Sequence, residues 1–131
     1  MSIQHTLFLS PLRFFRIGFA LFFVVAGINH FVMPDFYRPL IPPYFPFPVF
    51  LNYFSGFIEL VAGLGLLFPI TRRIAVFSIM VLMLLFIPSH VYFIRMGSCI
   101  EDSLCVAPWI AWVRLWIIHP LLILSAWVLR K

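Results

Sequence analysis

Four apolar stretches, each close to twenty residues long, fix what this chain can fold into. They run over residues 12–32, 49–68, 74–94 and 108–129. At 1.5 Å of rise per residue, a helix of that length crosses the ~30 Å hydrocarbon layer of a bilayer. Inside that layer each backbone N–H and C=O needs a partner within its own segment, which selects helices over open strands. No sustained alternation of polar and apolar residues supports a barrel. Between the stretches little is left to cover a water-facing surface: 10% of the 131 residues are charged, against about 25% in a soluble domain. The same figures exclude a disordered chain. The expectation is an all-α membrane protein, a single four-transmembrane-helix bundle over residues 1–131.

Flanking charges give that bundle a direction. Arg13 and Arg16 open the first span, Arg72 and Arg73 fill the short second connection, and Arg130 and Lys131 end the chain. Lys and Arg gather on the cytoplasmic side of membrane proteins, so both termini are expected to be cytoplasmic. Opposite them, Asp35 cancels Arg38 in the first outer loop, and Glu101 and Asp102 outweigh Arg95 in the second. A cleaved signal peptide fits less well, because the first apolar run continues past Ala26 and is long enough to span. No basic run interleaved with polar residues is present to follow a phosphate backbone, so nucleic acid is not an expected partner.

Two outer loops stand out. Residues 33–48 hold Pro34, Pro39, Pro42, Pro43, Pro46 and Pro48, with Phe and Tyr between them. Proline fixes φ and removes donors, so this loop is stiff and not helical for long. Its aromatics suit a membrane–water interface, or a lid over a site opening outward. Residues 95–107 hold the two cysteines, Cys99 and Cys105. In an oxidising compartment the pair is most simply a structural disulfide, worth about 2–3 kcal/mol by loop closure. The C-x5-C spacing is not the C-x-x-C of thiol–disulfide enzymes.

An ionisable side chain within a span is costly and turns to the bundle interior with a partner. Asn52, Ser55, Gly56, Glu59 and Gly63 recur at spacings of three and four, forming one polar and small stripe on the second span. Arg16, Ala20, Gly27 and His30 form a matching stripe on the first. On the fourth span, Arg114 and His119 are separated by ~140° on an ideal helix. Arg114 is therefore expected to face inward and pair with Glu59. His119 precedes Pro120, which removes the hydrogen bond to the Trp116 carbonyl and is expected to kink the helix. His119 then has a carbonyl freed by Pro120 to donate to. Candidate ligand-binding or proton-handling residues are His30, Asn52, Glu59, His90, Arg114 and His119. No H-x-x-x-H or E-x-x-H spacing supports a metal site, and no nucleophile elbow or phosphate loop is present.

Taken in order, several short motifs resemble those of the DoxX-like family of small four-helix membrane proteins. They are Gly27-Ile28-Asn29-His30-Phe31-Val32-Met33-Pro34 with Asp35-Phe36-Tyr37, then Pro42-Pro43-Tyr44 and Ser55-Gly56. Glu59 with Gly63-Leu64-Gly65-Leu66-Leu67 follows, then Pro69, Thr71-Arg72-Arg73 and Trp112-Val113-Arg114-Leu115. The resemblance implies a four-helix bundle in a bacterial cytoplasmic (inner) membrane, and carries His30, Glu59 and Arg114 as positions of interest. It implies little about activity; the polar outer half around Glu59 and Arg114, under the aromatic, proline-rich loop, leads to the expectation of an accessory subunit of a membrane redox system, without catalytic activity of its own. An outward-facing polar pocket would take a quinone-like or lipid-like ligand. The partners expected are the bilayer, a redox protein and a small apolar ligand. A structural or chaperone-like interaction protein is a second reading. A thiol–quinone oxidoreductase using Cys99 and Cys105 is a third.

Overall fold

The computed structural model describes residues 3–131, with side chains described from Pro11 onward. The expected cytoplasmic N-terminus falls at Met1, outside the described residues. Every regular element is helical. The long helix α1 covers Ile3–Val32, followed by the short α2 (Pro34–Tyr37) and a 3-10 turn over Arg38–Leu40. Helix α3 covers Pro48–Gly65 and α4 covers Arg72–Arg95. The last rod consists of α5 (Pro108–Val113), a π-helical segment (Arg114–Ile118) and α6 (His119–Val128). Four segments are long and apolar enough to cross a membrane: Pro11–Val32, Pro48–Gly65, Arg72–Arg95 and Pro108–Val128. Their bounds follow the four apolar stretches closely.

Proline sets several of the boundaries. Pro34, Pro48 and Pro108 each occupy the first turn of their helix, where the missing N–H leaves no helical bond unmade and φ is already helical. The stiff loop before α3 enters through Phe47, a non-glycine residue at φ 54°.

Contacts run mainly between successive long helices, α1 with α3, α3 with α4, and α4 with α6. The apolar core lies toward the end that carries the α3–α4 turn. Phe19, Ala20 and Phe23 of α1 meet Ala62 and Leu66, then Val76, Ile79 and Met83 of α4, closed by Ala126 and Leu129. Thr71 Oγ1 donates to the Gly65 carbonyl at 2.8 Å in that turn. An Arg72 guanidinium nitrogen donates to the Lys131 carbonyl at 3.1 Å, bringing the chain end to the same side. Outward faces carry large apolar side chains such as Phe22, Phe57, Leu85 and Trp116, the surface a bilayer covers and water does not tolerate over such an area.

Helices α1 and α3 approach closest, and glycine is the reason. A Cβ on Gly27 would lie 2.6 Å from the Gly56 carbonyl oxygen and 2.6 Å from the Leu60 nitrogen. One on Gly63 would lie 2.9 Å from the Ala20 oxygen and 2.9 Å from the Val24 nitrogen. Small residues let two backbones touch where lipid offers no hydrophobic drive for helix pairing. The two stripes read from the sequence therefore face one another.

The Cys99–Cys105 disulfide forms as expected. It closes a small hairpin in which Ile100 N–H donates to the Leu104 carbonyl at 2.8 Å, and Val106 N–H to the Ser98 carbonyl at 3.0 Å. Ser103 Oγ donates to the Phe36 carbonyl, docking this hairpin on α2. Replacing both cysteines with serine should lower stability by about 2 kcal/mol from lost loop closure. Thermal unfolding with and without reductant checks this, since reductant should shift the wild type alone.

Candidate functional site

Opposite the apolar core, the buried side chains turn polar. His30, Asn52 and Glu59 are 7%, 1% and 4% exposed, and they meet at the α1–α3 contact. The local cause begins with Pro34. The His30 carbonyl would normally accept from the amide four residues on, but Pro34 has none to give. Asn52 Nδ2 supplies the missing donor at 2.9 Å. A carbonyl only accepts, so that bond fixes the amide's orientation and leaves Asn52 Oδ1 facing the ring, 2.7 Å from His30 Nδ1. Because Oδ1 also only accepts, Nδ1 carries the hydrogen.

The other ring nitrogen is thereby committed to Glu59. His30 Nε2 lies 3.3 Å from Glu59 Oε2. The approach is not aligned as a hydrogen bond, and Oε2 is buried with no hydrogen-bond partner among the described residues. Two facing acceptors would repel and two facing hydrogens would clash. Nε2 and Oε2 face one another as a buried imidazole–carboxyl contact, an ion pair only when the ring is protonated. Gly56 makes room for this arrangement: a Cβ there would lie 2.4 Å from the His30 Cβ.

Tyr37 closes the pair from α2, its ring stacked on His30 at 4.0 Å between centroids and 25° between planes. Burial holds the Tyr37 phenol above its ordinary range. The Glu59 charge adds to that, and a hydrogen bond with Asn29 works against it. A raised phenol pKa means stability complete below pH ~10 and lost as pH climbs through the folded-state value above it. An ultraviolet phenolate titration should show one late-titrating tyrosine, absent in Tyr37→Phe and earlier in Glu59→Gln.

The remaining candidates form a second cluster, and here three expectations change. Arg114 does not pair with Glu59, whose partner is His30. Neither of the two ion pairs among the described residues includes Arg114; the other joins exposed Arg38 to Asp35. Arg114 lies with its guanidinium 5.8 Å from the centre of the Phe93 ring. Nor does the ideal-helix separation of Arg114 from His119 hold. Residues Arg114–Ile118 form a π segment in which His119 N–H donates to the Arg114 carbonyl. An i→i+5 turn inserts one residue into the helix, and both side chains reach α4, Arg114 at Phe93 and His119 at Met83. Pro120 follows directly on this widened segment. Finally, His119 Nε2 donates across to the Met83 carbonyl on α4, not to a carbonyl freed by Pro120. Its ring meets His90 edge-on, centroids 4.8 Å apart.

Sequence reasoning missed Tyr37 as a wall of the site. It also missed the pairing of His30 with Asn52, although Pro34, four residues after His30, is the signal that an orphaned carbonyl needs a donor.

Fold and site together define an all-helical protein, multi-pass by the length and composition of its helices, with a histidine–carboxylate pair buried at one end of the bundle. The chain belongs to the DUF8561 family, described as a domain of unknown function, whose model matches residues 19–130. That match takes in all four candidate spans, all but the start of the first. No curated protein and no solved structure matches the chain.

Proposed function

We propose that this protein is a ligand-binding accessory subunit of a membrane redox system, in which the His30–Glu59 pair exchanges a proton with a quinone-like head group. The observation that carries the reading is the pair itself: a buried carboxylate oxygen with no hydrogen-bond donor among the described residues, facing an imidazole whose other nitrogen is clamped by Asn52. Buried ionisable groups within a span mark ligand or proton sites more often than scaffolding. The proposal takes both termini as cytoplasmic and the membrane as a bacterial inner membrane. It retains the DoxX-like resemblance, two of whose three positions of interest, His30 and Glu59, form the pair. In this reading the protein acts with a redox partner without turning over substrate by itself.

A structural or interaction role is the second reading, favoured by the glycine contacts that join α1 to α3. A thiol–quinone role for Cys99 and Cys105 is weaker, since one disulfide offers no second pair to relay electrons. Thermal unfolding of the purified protein with a short-chain quinone analogue separates the first two. Stabilisation of the wild type, lost in Glu59→Gln, is expected. No stabilisation in either protein leaves the structural reading.

A further inference from the structure

We infer that the Cys99–Cys105 disulfide sets how firmly Tyr37 covers the His30–Glu59 pair: Ser103 of the oxidised hairpin holds the segment that lays Tyr37 on His30, and reduction by a dithiol loosens it. That the covered pair handles a proton rests on the function proposed above; the coupling of the hairpin to Tyr37 does not.

Three observations carry it. First, the chain of contacts is short and continuous. Ser103 Oγ donates to the Phe36 carbonyl, among the described residues the hairpin's one hydrogen bond to residues 34–46. That carbonyl and the Tyr37 amide share one planar peptide unit, so the bond fixes where Tyr37 leaves the backbone. The Tyr37 ring stacks on His30, and His30 faces Glu59. Second, the covering segment has few other ties. Its remaining backbone bonds are local turns, from Phe36 N–H to Met33, Ile41 N–H to Arg38 and Phe45 N–H to Pro42. Arg38 pairs within the segment to Asp35, which leaves the hydrogen bond of Tyr37 with Asn29 to reach α1. Third, the hairpin is a constrained structure with a reachable crosslink. Ser98 and Asp102 stand at φ 61° and 60°, the left-handed region that side chains disfavour. Such backbone persists where its surroundings over-determine it, and the disulfide across residues 99–105 is one such constraint. Both cysteines are exposed, and exposed disulfides are the ones that exchange with thiols. One thiolate of the dithiol attacks a cysteine sulfur and breaks the Cys99–Cys105 bond, and its second thiolate displaces the mixed disulfide. The two electrons and two protons end on the cysteine thiols, and the dithiol leaves as a disulfide.

Hydrogen–deuterium exchange of the full chain in detergent, without ligand, before and after dithiothreitol, tests the inference. Residues 33–41 should exchange about fivefold faster after reduction, the equivalent of one neutral hydrogen bond. The α3–α4 turn, residues 66–71, lies at the other end of the bundle and should not change. Oxidised Ser103→Ala should already exchange at the faster rate, and reduction should add little to it, because both changes break the same link. Ser103→Thr keeps the hydroxyl and should follow the wild type. Unchanged exchange on reduction, equal acceleration at residues 66–71, or a full further response in Ser103→Ala would each overturn the inference. Because the exchange is read without ligand, a failure of the quinone analogue to bind counts against the function proposed above and not against this coupling.

Discussion

Gly27→Ala should be the most damaging small substitution in the protein. The added methyl meets the Gly56 oxygen and Leu60 nitrogen at 2.6 Å each. Both are backbone atoms of α3, so no side chain can swing away to relieve the contact. The helices must separate, and the cost falls at or above the upper end of the ~1–3 kcal/mol for overpacking. Separation also draws His30 away from Asn52 and Glu59, so packing and site fail together. Gly18→Ala is the matching control, since nothing lies within 4 Å of its added Cβ. Alanine there should be neutral or stabilise α1 by up to ~1 kcal/mol through helix propensity. Thermal unfolding in one detergent, read for both variants, checks the contrast. Equal effects would show that α1 and α3 do not meet at Gly27.

Asn52→Leu should come next. Leucine fills a similar volume but neither donates nor accepts. It strands the His30 carbonyl, already without a helical partner because of Pro34, and the His30 Nδ1 hydrogen. A buried polar group left unsatisfied costs about 1–3 kcal/mol, and two are stranded here, so a loss of about 3 kcal/mol is expected. Asn52→Asp separates geometry from charge. It can accept from Nδ1 but cannot donate to the carbonyl, so it should recover part of the loss. Chemical denaturation of the three proteins checks the order wild type, Asn52→Asp, Asn52→Leu.

The limits of the sequence are physical ones. The four spans were legible because a bilayer imposes length and apolarity on every residue of a segment. The facing stripes of α1 and α3 were legible because helical spacing alone puts Gly56, Glu59 and Gly63 on one side. Partner choice was not. Glu59 had two plausible cations, and a helix wheel cannot tell the histidine across a glycine contact from an arginine on a distant helix. Arg114 and His119 were misjudged because the wheel assumes 3.6 residues per turn, and the π segment over Arg114–Ile118 does not obey it. Pro120 signalled a disturbance there but not its form. The reach of His119 to Met83 on α4 depends on that altered turn and has no sequence signature.

In the proposed function, a proton of the His30–Glu59 pair responds to a quinone-like ligand. Infrared difference spectroscopy of the carboxyl stretch, recorded as a quinone analogue is added, reads that proton directly. Binding should change a protonated-carboxyl band in the wild type, and the change should vanish in Glu59→Gln. Saturable binding with no change in that region, or the same change in both proteins, would contradict the claim.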